Sequence, residues 1–300
     1  MEVSTYADGT HRNVRVGLLL ALLLTLAGCG DTGEPAGGAG DADGSGGSRR
    51  PGTPAESEPL PHPDFDMTST ELDALIADAP AATRAAVAAR PQYFLELAAR
   101  MLELPSPQLR LVDKGHSLPA DAVPDDLVAL DRYADILTLN RTGLSLRAAL
   151  IPDLLAMVEA ARQDGILLPI SSTYRSYEYQ AGLFERHVED LGEEEASRVS
   201  ARAGTSQHQL GTAVDFGSIT LEFADTDAGR WLAAHTGEYG FSMSYPDGHE
   251  ELTGYSYEPW HFRWLGRTAT EMETAFFDGL QQHMLEFWHE HQGELRRTLR

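Results

Sequence analysis

Cysteine occurs once in these 300 residues, at Cys29, and lysine once, at Lys114. A single thiol excludes an intramolecular disulfide, and no other cysteine is present to bind metal or act in catalysis. With lysine almost absent, arginine carries the positive charge, and the formal net charge is -23. A surface of that sign repels nucleic-acid phosphates and does not dock on anionic lipid by charge alone. Long hydrophobic runs are also scarce. The apolar stretch from Val16 to Leu26 is too short to span a bilayer. Hydrophobic residues still make up 42% of the chain, enough for a core in one large domain or two ordinary ones.

The short apolar run has a different meaning at its position. Arg12 and Arg15 precede it, in the order of a signal-peptide core. It ends in Leu26-Ala27-Gly28-Cys29, which resembles the bacterial lipobox. That resemblance implies that residues 1–28 are a lipoprotein signal peptide and that Cys29 is lipidated. The protein would then be exported and anchored to a bacterial membrane, facing the cell wall or periplasm. An ordinary secretory signal with an incidental cysteine is the other reading. Residues 29–66 are rich in Gly, Asp, Ser and Pro without apolar periodicity, the composition of a flexible tether.

Ordered structure is expected from Thr68. Ser69 or Thr70 can cap a short helix through Ala79, and Ala81 to Leu104 reads as one or two helices interrupted by Pro91. Residues 67–104 thus form a helical extension ahead of a main domain at 105–300. Within that domain, Leu111 to Leu130 reads as an ordered loop. Leu144 to Ala161 has helical apolar spacing, and Ile166 to Ser171 reads as a strand. Helices follow at Tyr177 to Leu191, Glu193 to Arg202 and Thr226 to His235, and one long amphipathic helix from Thr268 to about Leu295. Thr212 to Phe216, Phe241 to Tyr245 and Trp260 to Trp264 are further strand candidates. Helices mixed with few strands indicate an α+β fold with a small antiparallel sheet flanked by helices.

Two segments carry metal-ligand chemistry. Ser206 to Asp215 offers His208 and Asp215, and Glu258-Pro259-Trp260-His261 offers a second imidazole and another carboxylate. Three such ligands and a base are what a catalytic zinc site requires, so His208, Asp215 and His261 are candidate ligands and Glu258 a candidate base. A His-x6-Asp pair alone also fits a loop histidine and a capping aspartate. Proline keeps Glu258 out of the α conformation, so the helical His-Glu-x-x-His arrangement does not apply. On a regular strand Glu258 and His261 would face opposite ways, and only a bulge or turn brings both to one metal. Arg175 follows the strand ending at Ser171. Its guanidinium suits a carboxylate or a developing oxyanion, or else a salt bridge in so acidic a protein.

The blocks Ser172 to Gln180, Gly204 to Asp215 and Glu258 to Trp264 resemble the VanY-type D-alanyl-D-alanine carboxypeptidases in order and spacing. The likeness extends from about Leu111 through Gly266. It implies the hedgehog/DD-peptidase fold, zinc bound by His208, Asp215 and His261, Glu258 as catalytic glutamate and Arg175 as transition-state arginine. Gln207 departs from the glutamate that is usual there. Peptidoglycan stem peptides ending in D-alanine are the implied substrate, with Ser206 and Tyr174 as candidates for holding their terminal carboxylate. An L,D-carboxypeptidase, an endopeptidase on cross-links, and a lipoprotein that binds wall peptides without cutting them are the alternatives. His283, His289 and His291 are expected on a solvated helix face.

Overall fold

The structure is a computed structural model that describes residues 60–105 and 107–300. The signal segment, Cys29 and the tether up to residue 59 lie outside the described residues. No helix among those described is long and apolar enough to cross a membrane.

In chain order the elements are α1 (Ser69–Leu75), α2 (Ala81–Ala89), α3 (Pro91–Leu102), β1 (Leu127–Ala129), β2 (Ser145–Arg147), α4 (Ile151–Gln163), β3 (Ile170–Ser172), α5 (Tyr177–Leu191) and α6 (Glu193–Val199). They continue with β4 (Ala213–Phe216), α7 (Asp227–His235), β5 (Phe241–Met243), α8 (Glu250–Thr253), β6 (His261–Trp264), α9 (Arg267–Phe276) and α10 (Gln281–Thr298).

Local chemistry sets several of these boundaries. Thr68, one residue before the expected caps, starts α1 with a capping box. Its hydroxyl accepts from the Glu71 N–H, and the Glu71 carboxylate accepts from the Thr68 N–H at 2.8 Å. α1 stops at Leu75, with Ile76 leaving the helical conformation at φ -97° and ψ 7°, short of Ala79. Arg90, forced out of the α region by the following proline, separates α2 from α3, and Pro91 opens α3. The helix expected from Leu144 starts only at Ile151, with Pro152 in its first turn. Leu146 belongs to β2, which pairs with β1, and Leu144 just before it accepts from the Leu130 N–H at 2.8 Å. The long C-terminal helix is two helices, because Asp278 and Gly279 adopt φ of 57° and 70°, a left-handed pair that interrupts the ladder.

The N-terminal helices do not stand apart from the rest. Phe94, Leu97 and Met101 share a core with Met272 and Phe276 of α9 and with Met284 and Trp288 of α10. The tether also ends before residue 66. Phe65 is fully buried, the Asp66 N–H donates to the Thr298 carbonyl at 2.7 Å, and the Arg300 N–H donates to that of Asp64 at 2.8 Å. An aromatic side chain that can reach the core offsets the entropy of ordering these residues.

The principal sheet has the order β3-β4-β6-β5, antiparallel throughout. Val214, Phe216, Phe262 and Trp264 point to one face, against Leu154 and Met157 of α4 and Trp231 and Leu232 of α7. The alternation of strand side chains sends Asp215, His261 and Arg263 to the other face. Asp215 stands directly opposite His261 in the β4–β6 register. Arg263 is wholly buried and donates from Nη2 to the carbonyls of Gln108 and Arg110 at 3.1 and 2.7 Å. This ties the segment that follows the N-terminal helices to the strand bearing His261.

Glu273 of α9 is buried, and Ser242 Oγ donates to its carboxylate at 2.8 Å. Burial pushes its carboxyl from 4.5 up to about 8, against the Ser242 hydrogen bond. The folded state therefore keeps a proton that the unfolded chain has lost between those two values. The contribution of Glu273 to stability falls as pH rises through that window. Glu273→Gln is expected to remove this slope, with the unfolding free energy unchanged in acid and raised by roughly a few kcal/mol above about pH 8. Urea unfolding as a function of pH measures it.

Candidate active site

Three pieces of chain meet on the open face of the sheet. The first is Ser206 to Asp215. Ser206 caps a 3-10 turn over Gln207–Leu210 by accepting from the His208 N–H at 3.3 Å. Gly211, at φ 70°, reverses the chain into β4. A Cβ there would meet the Arg147 and Leu127 side chains at 3.0 Å, so glycine suits both the left-handed backbone and the tight space of the turn that brings His208 back over Asp215.

The second piece is Glu258-Pro259-Trp260-His261, which forms a β-turn. The His261 N–H donates to the Glu258 carbonyl at 3.1 Å, with proline second in the turn, and the Glu258 N–H donates to the Tyr245 carbonyl at 3.0 Å. This turn resolves the facing problem. Glu258 lies outside the strand, and its Oε2 comes within 3.7 Å of His261 Nδ1. The third piece is the loop after β3, where Arg175 Nη1 lies 3.8 Å from Asp215 Oδ2.

His208, Asp215 and His261 are all buried, and one donor atom from each falls within 4.8 Å of the others. His208 Nδ1 donates to the Thr173 carbonyl at 2.6 Å. A carbonyl only accepts, so in the neutral ring the hydrogen is on Nδ1 and Nε2 is bare. That Nε2 is buried without a hydrogen-bond partner, 3.2 Å from Asp215 Oδ2. Burial, and next the nearby Arg175 charge, push His208 down to about 4, so the ring is neutral at neutral pH. Burial disfavours ionised Asp215, but the two imidazoles outweigh it and hold the carboxyl well below its ordinary range. A bare nitrogen and a carboxylate oxygen facing each other at this distance fit a cation between them. Two imidazoles and one carboxylate are a zinc-type donor set.

Glu258 lies beside this group but in a different state. Burial, then the Asp215 charge, push it up to about 8, opposed by Arg175. Two carboxyls with affinities for protons displaced in opposite directions are suited to separate roles. The surrounding cleft, about 430 Å³, also includes Ser206, Tyr245, Tyr255 and Trp260. The Tyr245 ring packs on His261 and on Tyr255, each at 4.9 Å between centroids.

All five principal candidates, Arg175, His208, Asp215, Glu258 and His261, therefore line one cleft, and Ser206 joins them. Tyr174 does not. Its main-chain N–H donates to Ser145 O at 3.0 Å, and its ring is not part of the cleft wall. Tyr245 and Tyr255 are among the wall residues that sequence reasoning missed. Tyr245 falls just past β5 in a stretch read only as a strand, and nothing in its spacing marked it. His283, His289 and His291 border a separate cleft with His116. Only His289 is well exposed, the other two being half-buried.

A family profile described as "VanY: D-alanyl-D-alanine carboxypeptidase" matches residues 143–267, a span containing all five. The carboxypeptidase-type protein YodJ of Bacillus subtilis (strain 168) is 33% identical over 192 residues, covering 60% of this chain and 70% of YodJ. The chain belongs to the VanY-type carboxypeptidase family. Two solved structures with which this VanY-type chain shares its fold differ in activity. The LdcB LD-carboxypeptidase aligns with a TM-score of 0.55 and 31% identity, over 61% of this chain and 88% of LdcB. A variant of the vancomycin-resistance D,D-pentapeptidase VanY from the VanB-type cassette, in complex with Zn(II), aligns with a TM-score of 0.51 and 28% identity, over 60% and 99%.

Gly211→Ala should destabilise the fold by at least about 1–2 kcal/mol, the cost of a left-handed non-glycine residue, with the close contacts adding to it. A lowered midpoint in thermal or urea unfolding checks this.

Proposed function

We propose that the protein is a zinc-dependent D-alanyl-D-alanine carboxypeptidase that trims the terminal D-alanine from peptidoglycan stem peptides. The observation that carries this reading is the convergence of His208, Asp215 and His261 with Glu258 and Arg175 in one cleft. The Zn(II) complex of the structurally similar D,D-pentapeptidase supports it, as does the family description.

In this reading His208 Nε2, Asp215 and His261 Nδ1 hold the zinc. When bound, the ion polarises the scissile carbonyl and makes a nearby water more acidic. Glu258, close to His261 but outside the strand, accepts a proton from the attacking water at its carboxylate. It then passes that proton to the amine of the leaving D-alanine as the C–N bond breaks. Arg175 faces the same point and stabilises negative charge developing on the carbonyl oxygen. Ser206, in the cleft wall, is the candidate for holding the substrate's terminal carboxylate.

Export and lipidation at Cys29 would bring the cleft to the cell wall, where such peptides occur. The lipobox-like end of the signal segment supports this.

The similarity to LdcB supports a second reading, an L,D-carboxypeptidase that acts on tetrapeptides. Incubation with defined pentapeptide and tetrapeptide, read by mass spectrometry, separates the two. Release of D-alanine from pentapeptide alone is expected, and release from tetrapeptide alone establishes the L,D reading in its place. A chelator should abolish release and added zinc restore it. Glu258→Gln is expected to lower kcat by roughly 10²–10⁴-fold with zinc content unchanged. Unimpaired turnover in that variant would remove Glu258 from its role.

A further inference from the structure

His261 is held from behind by a chain of amides that leads out of the family-matched span. Its Nε2 lies 3.2 Å from Gln207 Oε1. Gln207 Nε2 donates to Gln281 Oε1 at 3.2 Å, and Gln281 Nε2 donates to the Ser242 carbonyl at 3.3 Å. Ser244 Oγ lies 2.7 Å from Gln207 Oε1 and 3.3 Å from Gln281 Oε1. Gln207, Ser242, Ser244, Gln281 and His261 are all at least nine-tenths buried, so these contacts lie out of bulk solvent.

The direction of the chain follows from its far end. The Ser242 carbonyl only accepts, so it must face the NH2 of Gln281. Gln281 therefore turns its oxygen toward Gln207, which must answer with its own NH2. That leaves Gln207 Oε1 toward His261, and an oxygen there requires hydrogen on Nε2. Nδ1 is the nitrogen left for a metal. It is also the one 2.9 Å from Asp215 Oδ1 and on the side of Glu258.

The geometry points to Gln207 and Gln281 as positioning residues for the metal site: a relay from the Ser242 carbonyl holds hydrogen on His261 Nε2 and aims Nδ1 at the ion. Neither glutamine touches substrate in this arrangement. Gln281 is the first residue of α10, outside residues 143–267. Because α10 shares a core with α9 and the N-terminal helices, the helical body beyond the matched span takes part in orienting a metal ligand. The metal half of this inference rests on the zinc reading above, whereas the relay itself does not.

Two measurements keep those halves apart. The first is nitrogen-15 NMR of the metal-free protein, which reports which ring nitrogens of His261 carry hydrogen. Hydrogen on Nε2 is expected, with or without a second on Nδ1. A bare Nε2 overturns the relay. The second is zinc affinity by competition with a chromophoric chelator, for wild type, Gln207→Leu, Gln207→Glu and Gln281→Leu. Losing an outer partner of a metal-bound histidine typically costs about 10–100-fold in affinity, and that loss is expected for Gln207→Leu. Gln207→Glu keeps an acceptor and should restore binding to near wild type, which a loss of packing alone would not predict. Gln281→Leu, which leaves the Gln207 amide free to turn over, should lose several-fold and carries the test if Gln207→Leu does not fold. Zinc affinity unchanged in both leucine variants overturns the proposal. Hydrogen on Nε2 in a wild type that binds no zinc overturns the zinc reading and upholds the relay.

Discussion

Asp215 carries a charge out of water, with the Arg175 guanidinium as its ion-pair partner. A buried carboxylate costs several kcal/mol unless it is paired or coordinates a metal. Arg175, at 3.8 Å, is too far for a direct hydrogen bond. On either side of Asp215 stand imidazoles whose far nitrogens are engaged elsewhere, His208 with a carbonyl and His261 with an amide. Much of the structure around this residue serves to hold three electron-pair donors at one point. The left-handed Gly211, the β-turn at Pro259 and the β4–β6 register each fix one of them.

The same arrangement explains why two carboxyls so close together differ. Asp215 is surrounded by groups that favour its charge, whereas burial and then the Asp215 charge itself push Glu258 up to about 8. A bound cation would favour ionised Glu258 too, since positive charge nearby stabilises a carboxylate. Occupancy of the ligand group and readiness of the base are thereby coupled through electrostatics.

Much of the site was legible in the chain because it is built from short contiguous segments. His208 and Asp215 are joined by one turn, Glu258 and His261 by another, and Arg175 follows a strand directly. The proline that excluded a helix at Glu258 also made the turn that joins it to His261. What could not be read depended on distant partners. Strands of three or four residues leave too little periodicity to place their ends, so β3 and β5 were expected too long. Nothing local announced that Phe65 inserts into the core, or that α3 packs on helices some 170 residues later. The break at Asp278 was missed because the apolar pattern resumes in phase after it. Gln207 was noticed only as a departure, since its partners Ser244 and Gln281 come from two other elements.

The pairing of Asp215 with His261 constrains how such a site can change. On β6 the neighbours of His261 alternate between the cleft and the core, with Phe262 and Trp264 packed beneath the sheet. Moving the imidazole one position along the strand would bury it among Leu154 and Met157 and put an aromatic ring among the ligands. A ligand on this strand can therefore migrate only in strides of two residues, and the next position of that parity, Arg263, is already engaged as a clamp. The histidine is confined to its place by its neighbours' duties, independently of any demand made by catalysis.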